Sequence, residues 1–223
     1  MNKGLISKGL TKYLAGLVLV MLLIFLPAGT FKYPGGWLFI ALLFIPMLIM
    51  GIVLLLKDPA LLEKRLSSKE TEKEQKGVVA LSSVMFLAGF ILAGLSFRFG
   101  WPGMPGWAVT AGAVIFLLGY AMYAEVLREN AYLSRTIEVQ EGQKVIDTGL
   151  YGIVRHPMYM ATTVLFLAMP LVLASPLSFL IMLGYIPVIA KRIRNEEAVL
   201  EEGLVGYRDY EKRVKYRIIP RIW

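Results

Sequence analysis

Residues Trp37–Leu56 read WLFIALLFIPMLIMGIVLLL, a run with no charged side chain and one proline, Pro46, near its middle. A helix rises 1.5 Å per residue, so about twenty residues reach about 30 Å, the thickness of the hydrocarbon core of a bilayer. A helix apolar on every side belongs in lipid or in the middle of a large core. Three further blocks read the same way: Tyr13–Ala28, Val78–Phe97 and Trp107–Leu127, the last with Glu125 near its end. A fifth, Pro157–Ala190, is too long for one span and carries Pro170, Pro176 and Pro187. Ala174-Ser175-Pro176 predicts a tight turn there, giving a hairpin of two arms of 15–18 residues, each marginal for a full crossing. The expected fold is therefore all-α: a polytopic integral membrane protein with five to six transmembrane helices, six favoured.

Charge orients these spans. All but two of the 24 lysines and arginines lie before the first block, in Lys57–Lys76, in Arg128–Arg155 or from Lys191 onward. Lys32 and Arg98 occupy the alternate loops. Because basic residues stay on the cytoplasmic side, a six-span arrangement with both termini cytosolic is predicted. Three lysines before an apolar run also describe a cleavable leader. Pro27-Ala28-Gly29-Thr30 makes a poor small-residue cleavage site, so a retained helix is expected. The net charge of +8 lies at span ends, which suits anionic lipid headgroups and not nucleic acid.

Composition restricts the chemistry. Apolar residues make up 57% of 223, cysteine is absent and there is one histidine. Disulfides, thiolate nucleophiles and cysteine- or multi-histidine metal sites are thereby excluded, and no metal is expected. What remains is one His, carboxylates, Arg and Lys, Tyr, backbone groups and a bound cofactor.

Two segments of the C-terminal third concentrate such groups. In Asp147–Tyr159, Gly149 and Gly152 permit close approach or positive φ, and Pro157 suits the first turn of a helix. Arg155 and His156 then sit at a helix N-terminus, where free N–H groups favour an anionic ligand group. In Arg192–Leu200, Glu196 and Glu197 point to different faces of one helix, so at most one faces a pocket. Arg192 and Glu196, four apart, share a face and can pair. The bland alternatives are an interfacial histidine and a helix leaving the bilayer. Both segments at one membrane face, in a chain otherwise poor in polar groups, favour a site.

The pattern Gly149-x-Tyr151-x-x-Val154-Arg155-His156-Pro157-x-Tyr159, then Arg192-x-x-x-Glu196-Glu197-x-x-Leu200, Tyr207-x-x-Tyr210 and Arg217-x-x-Pro220, resembles the isoprenylcysteine carboxyl methyltransferase family, related to the phospholipid N-methyltransferases. The resemblance covers about Asn130–Trp223. It implies an intramembrane methyltransferase using S-adenosylmethionine, with the cofactor in a cytosolic-side pocket of the C-terminal third. It also implies a division into spans at 1–127 and a catalytic region at 128–223. The implied cofactor contacts are Gly149, Leu150, Tyr151, Val154, Arg155, His156, Pro157, Tyr159, Glu196 and Glu197, with Arg155, His156 and Glu196 as catalytic candidates. The tail bearing Tyr207, Tyr210 and Arg217 would form a lid. The acceptor would be a hydrophobic carboxylate, amine or thiol reached through the membrane. The short chain suggests a prokaryotic member in the cytoplasmic membrane, and the oligomeric state stays open.

Two other readings compete. Membrane NADPH-dependent sterol and enone reductases carry a similar Arg-His-Pro-x-Tyr element, typically with an acid two positions after the Tyr. Ala161 stands there in this chain. A scaffold or transport component would place ionisable residues along a mid-bilayer path, and these spans are nearly free of them.

Overall fold

The computed structural model describes residues 3–66, 73–133 and 139–223, so Lys69 and Arg135 of the two basic loops lie outside the described residues. The described residues form helices, turns and loops without strands. Four long helices come first in regular succession: α1 (Lys3–Ala28), α2 (Pro34–Lys57), α4 (Lys73–Arg98) and α5 (Gly106–Glu129), with the short α3 (Pro59–Leu66) after α2. A 3-10 turn (Gly149–Gly152) precedes α6 (Pro157–Val172), α7 (Pro176–Leu183), α8 (Tyr185–Gly203) and α9 (Tyr207–Arg213).

Each of the four long helices extends past its apolar block because charged ends continue the helix into the interface. Among the described residues, five helical stretches are long and apolar enough to cross a membrane: α1, α2, Lys76–Arg98 within α4, α5 and the α7–α8 stretch Pro176–Gly203. At 16 residues α6 reaches about 24 Å, short of the hydrocarbon thickness. The hairpin turns where predicted. Ala174 adopts φ 52°, and Ser175 caps α7 by accepting from the Ser178 amide. Its second arm differs from the expected 15–18 residues. Apolar character fades at Lys191, but α8 continues to Gly203 as an amphipathic helix and carries Glu196 and Glu197 with it.

Lipid offers no hydrophobic drive between helices, so the bundle depends on close packing and paired polar groups. A Cβ at Gly94 of α4 would lie 2.5 Å from the Ile24 carbonyl oxygen of α1. One at Gly112 of α5 would lie 2.6 Å from Leu171 Cβ of α6. Near Pro46, the Leu43 carbonyl accepts the Tyr120 hydroxyl at 2.7 Å and the Phe44 carbonyl accepts that of Tyr13 at 3.2 Å. Tyr33 donates to the Leu173 carbonyl, tying the α1–α2 loop to the hairpin turn. The core runs through Ile24, Phe39, Phe116, Met169, Met182 and Ile193, so α8 is held on one side by the spans and on the other by the tail.

Candidate functional site

The local backbone is set first. Gly149 has φ 54°, and a Cβ there would meet Glu129 Cγ and Cδ at 3.2 Å, so the chain can turn beneath α5 only with glycine. The turn delivers Tyr151, whose hydroxyl accepts from Asn130 Nδ2 at 2.8 Å. Its carbonyl accepts the Tyr210 hydroxyl at 2.7 Å. Burial, the largest influence on it, pushes the Tyr151 phenol up to about 12. Four and five residues after Tyr151, the amides of Arg155 and His156 donate to the carbonyls of Tyr216 and Arg217, each at 2.8 Å. The C-terminal tail is thus stitched to the mouth of α6, and His156 takes its N-cap position without a side-chain cap bond.

Beneath this mouth lies a buried charge cluster. Arg155 Nε and Nη2 donate to Glu197 Oε1 at 2.9 and 2.7 Å, with the two side chains 6% and 5% exposed. Arg155 Nη1 donates to the Val214 and Lys215 carbonyls at 3.0 and 3.2 Å. Glu211 Oε1 lies 3.3 Å from Nη2. Arg217 Nε donates to the other Glu197 oxygen at 2.7 Å. Burial alone lowers an arginine, but the contacts with Glu197 outweigh it and hold Arg155 raised. Glu197 therefore locks the turn before α6, α8 and the tail together.

The second carboxylate has a different setting. Glu196 accepts from the Tyr159 hydroxyl, which itself accepts from Arg192 Nε at 2.9 Å. The predicted Arg192–Glu196 face is joined through this tyrosine. The His156 ring stands between the acids, with Nε2 3.2 Å from Glu197 Oε1 and Nδ1 3.9 Å from Glu196 Oε1.

A cavity of about 520 Å³ opens over this wall. Tyr151, Arg155, His156, Tyr159 and Glu196 line it. Gly149, Leu150, Val154, Pro157 and Glu197, expected as cofactor contacts, are not among its lining residues. The reasons are physical: Val154 is fully buried, Glu197 is spent on two arginines, and Gly149 faces Glu129. A second, apolar cavity of about 420 Å³ lies between α2, α3, α4, α5 and α6. The two share Arg65, Phe86, Met158, Thr162 and Phe166, so a polar chamber and an apolar one meet at one junction. Arg65 donates to the Tyr123 hydroxyl at that junction. Sequence reasoning missed Arg65, Asn130 and Glu211, which belong to no motif and reach the site only through the fold. Tail residues Arg217 and Tyr210, expected in a lid, reach Glu197 and Tyr151.

Against known proteins, residues 107–204 match the phospholipid methyltransferase family model. The chain superposes on the eukaryotic intramembrane Ras methyltransferase, isoprenylcysteine carboxyl methyltransferase, with a TM-score of 0.58 over 94% of this chain and 75% of that one, at 19% identity. The fold is that of an isoprenylcysteine carboxyl methyltransferase. A Δ14-sterol reductase of Mus musculus is 32% identical over 91 residues, which is 40% of this chain and 22% of that protein. A Δ14-sterol reductase of Methylotuvimicrobium alcaliphilum is 22% identical over 135 residues, 54% of this chain and 32% of that one. The chain thus spans about a fifth to a third of the curated relatives it matches. Within this fold the buried Arg155–Glu197 lock adjoins the Glu196-lined cavity through Arg155, which belongs to both.

Proposed function

We propose that this chain is an integral membrane methyltransferase that uses S-adenosylmethionine and acts on a hydrophobic, membrane-embedded carboxylate, amine or thiol. The observation that carries this reading is the junction of a polar cavity with an apolar one at Arg65, Phe86, Met158, Thr162 and Phe166. A water-soluble cofactor and a lipid-soluble acceptor need such an arrangement. The residues present fit the cofactor. Glu196 offers a carboxylate for its ammonium or ribose hydroxyls, and the α6 N-terminus, without a side-chain cap, suits its carboxylate.

When bound, the cofactor supplies a methyl group on a positive sulfur, which passes in line to a nucleophilic atom of the acceptor and leaves a neutral thioether. The protein's part in such a transfer is alignment and exclusion of water. Tyr159 and His156 hold Glu196 in place. Arg155, whose donors are turned to Glu197 and to tail carbonyls, positions the turn before α6 and the tail rather than reaching for a ligand. Residues 128–223 act as the catalytic region on a scaffold of residues 1–127, to which the scaffold lends Arg65 and Phe86. The same reading puts the basic ends of the helices and both termini on the cytosolic face of a prokaryotic cytoplasmic membrane, against anionic headgroups.

The similarity to Δ14-sterol reductases favours a second reading, an NADPH-dependent reductase. A dinucleotide with a pyrophosphate needs several basic groups converging on it. Here Arg155 is already paired with Glu197 and Glu211, and Arg192 is engaged by Tyr159. Calorimetry on detergent-purified protein separates the two. Micromolar binding of S-adenosylmethionine and S-adenosylhomocysteine, abolished by Glu196→Gln and not matched by NADPH, is the expected result. Binding of NADPH alone would replace the methyltransferase with the reductase, and binding of none would return the chain to a non-enzymatic role.

A further inference from the structure

Residues 212–223, KRVKYRIIPRIW, carry five basic side chains and no acid. They run along the mouth of α6. The carbonyls of Tyr216 and Arg217 accept the amides of Arg155 and His156, and α6 starts at the next residue, Pro157. Helix α6 is apolar from its first turn, so this stretch of tail lies at the level where the chain enters the hydrocarbon. Ile218 then turns inward. It is 4% exposed and joins the core that contains Ile189 and Ile193, which flank the point where α8 loses its apolar character.

Past Ile218 the chain closes a turn on itself. A main-chain oxygen of Trp223 accepts the amides of Ile218 and Ile219, both at 3.0 Å, and the Trp223 amide donates back to the Ile219 carbonyl at 3.0 Å. Arg221 takes φ 67°, a backbone region that glycine or asparagine would occupy with less strain. The turn leaves Ile219 and Ile222 45% and 77% exposed, beside the exposed Pro220 and Arg221, while Trp223 packs against the core. Single exposed isoleucines are ordinary on a water-facing surface. Two of them on one closed turn, with a tryptophan and basic side chains, make the composition of an interfacial anchor. An acidic protein or a nucleic acid would match the charge but not the two isoleucines at membrane depth.

We propose that the turn Ile218–Trp223 is seated in the headgroup region of the membrane from which α8 emerges, with Ile219 and Ile222 toward the acyl chains and Lys215 and Arg221 meeting anionic phosphates. Two contacts link this seat to the site. The Arg217 guanidinium lies 5.4 Å from the centre of the Trp223 ring, and its Nε donates to Glu197 at 2.7 Å. An anionic lipid surface thus holds the tail against the mouth of α6 and supports the Glu197 lock. The seat is independent of the reaction the cavity serves.

The chain lacks cysteine, so Ile222→Cys or Lys212→Cys alone can carry a polarity-sensitive fluorophore. The full chain is placed in nanodiscs of phosphatidylcholine, alone or mixed with phosphatidylglycerol. The probe at position 222 should be quenched by lipid-borne nitroxides and shielded from acrylamide. The probe at position 212, where the native side chain is 76% exposed, should show the reverse. Trypsin cleavage after Lys215 reports opening of the tail. It should be about fivefold slower in the anionic discs for each base that meets the lipid. Arg221→Asn, neutral and tolerant of the left-handed backbone, should remove about fivefold of that protection. Ile222→Asp should speed cleavage about tenfold in both lipids. Equal access of acrylamide to the two probes, or tail release that is the same in both lipids and unchanged by Arg221→Asn, would overturn the proposal.

Discussion

Glu196 and Glu197 are neighbours in sequence with opposite settings, and neutralising them one at a time separates binding from architecture. Glu197→Gln preserves shape and removes the charge. Arg155, at 6% side-chain exposure, would keep the neutral amide oxygen, Glu211 at 3.3 Å and two carbonyls, but lose its nearest countercharge. Removing one partner of a buried ion pair costs about 3–5 kcal/mol, because the other charge stays desolvated. Arg217 is about a third exposed, so solvent screens its share and the added loss is below about 1 kcal/mol. In Glu196→Gln the amide oxygen can still accept from Tyr159, and the loss is below about 1 kcal/mol. The two variants should differ by about 2–4 kcal/mol. For a chain of this size that amounts to roughly 10 °C in melting temperature. The assay is thermal unfolding in detergent, with limited trypsin digestion at Arg213, Lys215 and Arg217 reporting release of the tail. Glu197→Gln should melt lower and lose its tail quickly, while Glu196→Gln keeps wild-type stability and loses cofactor affinity. Equal melting temperatures, or Glu196→Gln as the less stable variant, would refute the assignment of Glu197 as the lock.

Burial raises the Tyr151 phenol from its ordinary value of 10 to about 12, so the folded state holds its proton more tightly than the unfolded chain. The associated stability, about 3 kcal/mol, is fully present below pH 10 and lost as the pH rises toward about 12. Tyr151→Phe should flatten that alkaline decline in an unfolding series, and an unchanged slope would argue against a buried phenol. Gly94→Ala places a Cβ 2.5 Å from a backbone oxygen of α1, which cannot yield as a flexible side chain would. The α1–α4 contact should open, at a cost of at least about 1–3 kcal/mol read as a lower melting temperature. Gly51 is the converse case: it lines the apolar cavity, and a Cβ there meets nothing within 4 Å. Gly51→Phe should fit without loss of stability or cofactor affinity and slow methyl transfer to a lipid acceptor, measured with radiolabelled S-adenosylmethionine in membranes.

The sequence legibly reported whatever depends on local periodicity. Apolar runs gave the long helices, and Ala174-Ser175-Pro176 gave the hairpin turn, because a proline and a small residue limit the backbone wherever they stand. The end of the second arm was misplaced because hydropathy marks where a helix leaves lipid, not where it stops. The continuation beyond Lys191 is amphipathic and carries its hydrogen bonds with it. Likewise, helical geometry alone separated the faces of Glu196 and Glu197 but could not say which faced a cavity. That choice depends on Arg217, which arrives from the tail to occupy Glu197.

The site therefore depends on contacts between distant parts of the chain, and this bears on how it would work. Arg155 and His156 are held through their own amides by the carbonyls of Tyr216 and Arg217, and Glu197 is held by Arg155 and Arg217. Every tie to the tail passes through groups adjacent to, but not part of, the Glu196–Tyr159 wall. Displacing the tail would expose the cavity at its Tyr207 and Tyr210 side while leaving Glu196, Tyr159 and Arg192 joined on α6 and α8. A ligand entering from water would meet a preformed charged wall and be enclosed by the tail, whereas a lipid acceptor would reach the junction through the apolar cavity with the tail in place. On the proposed reading, loading of the cofactor and entry of the acceptor use separate doors. A deletion of residues from Val214 onward should accordingly impair the first far more than the second, since no residue of that segment lines the apolar cavity.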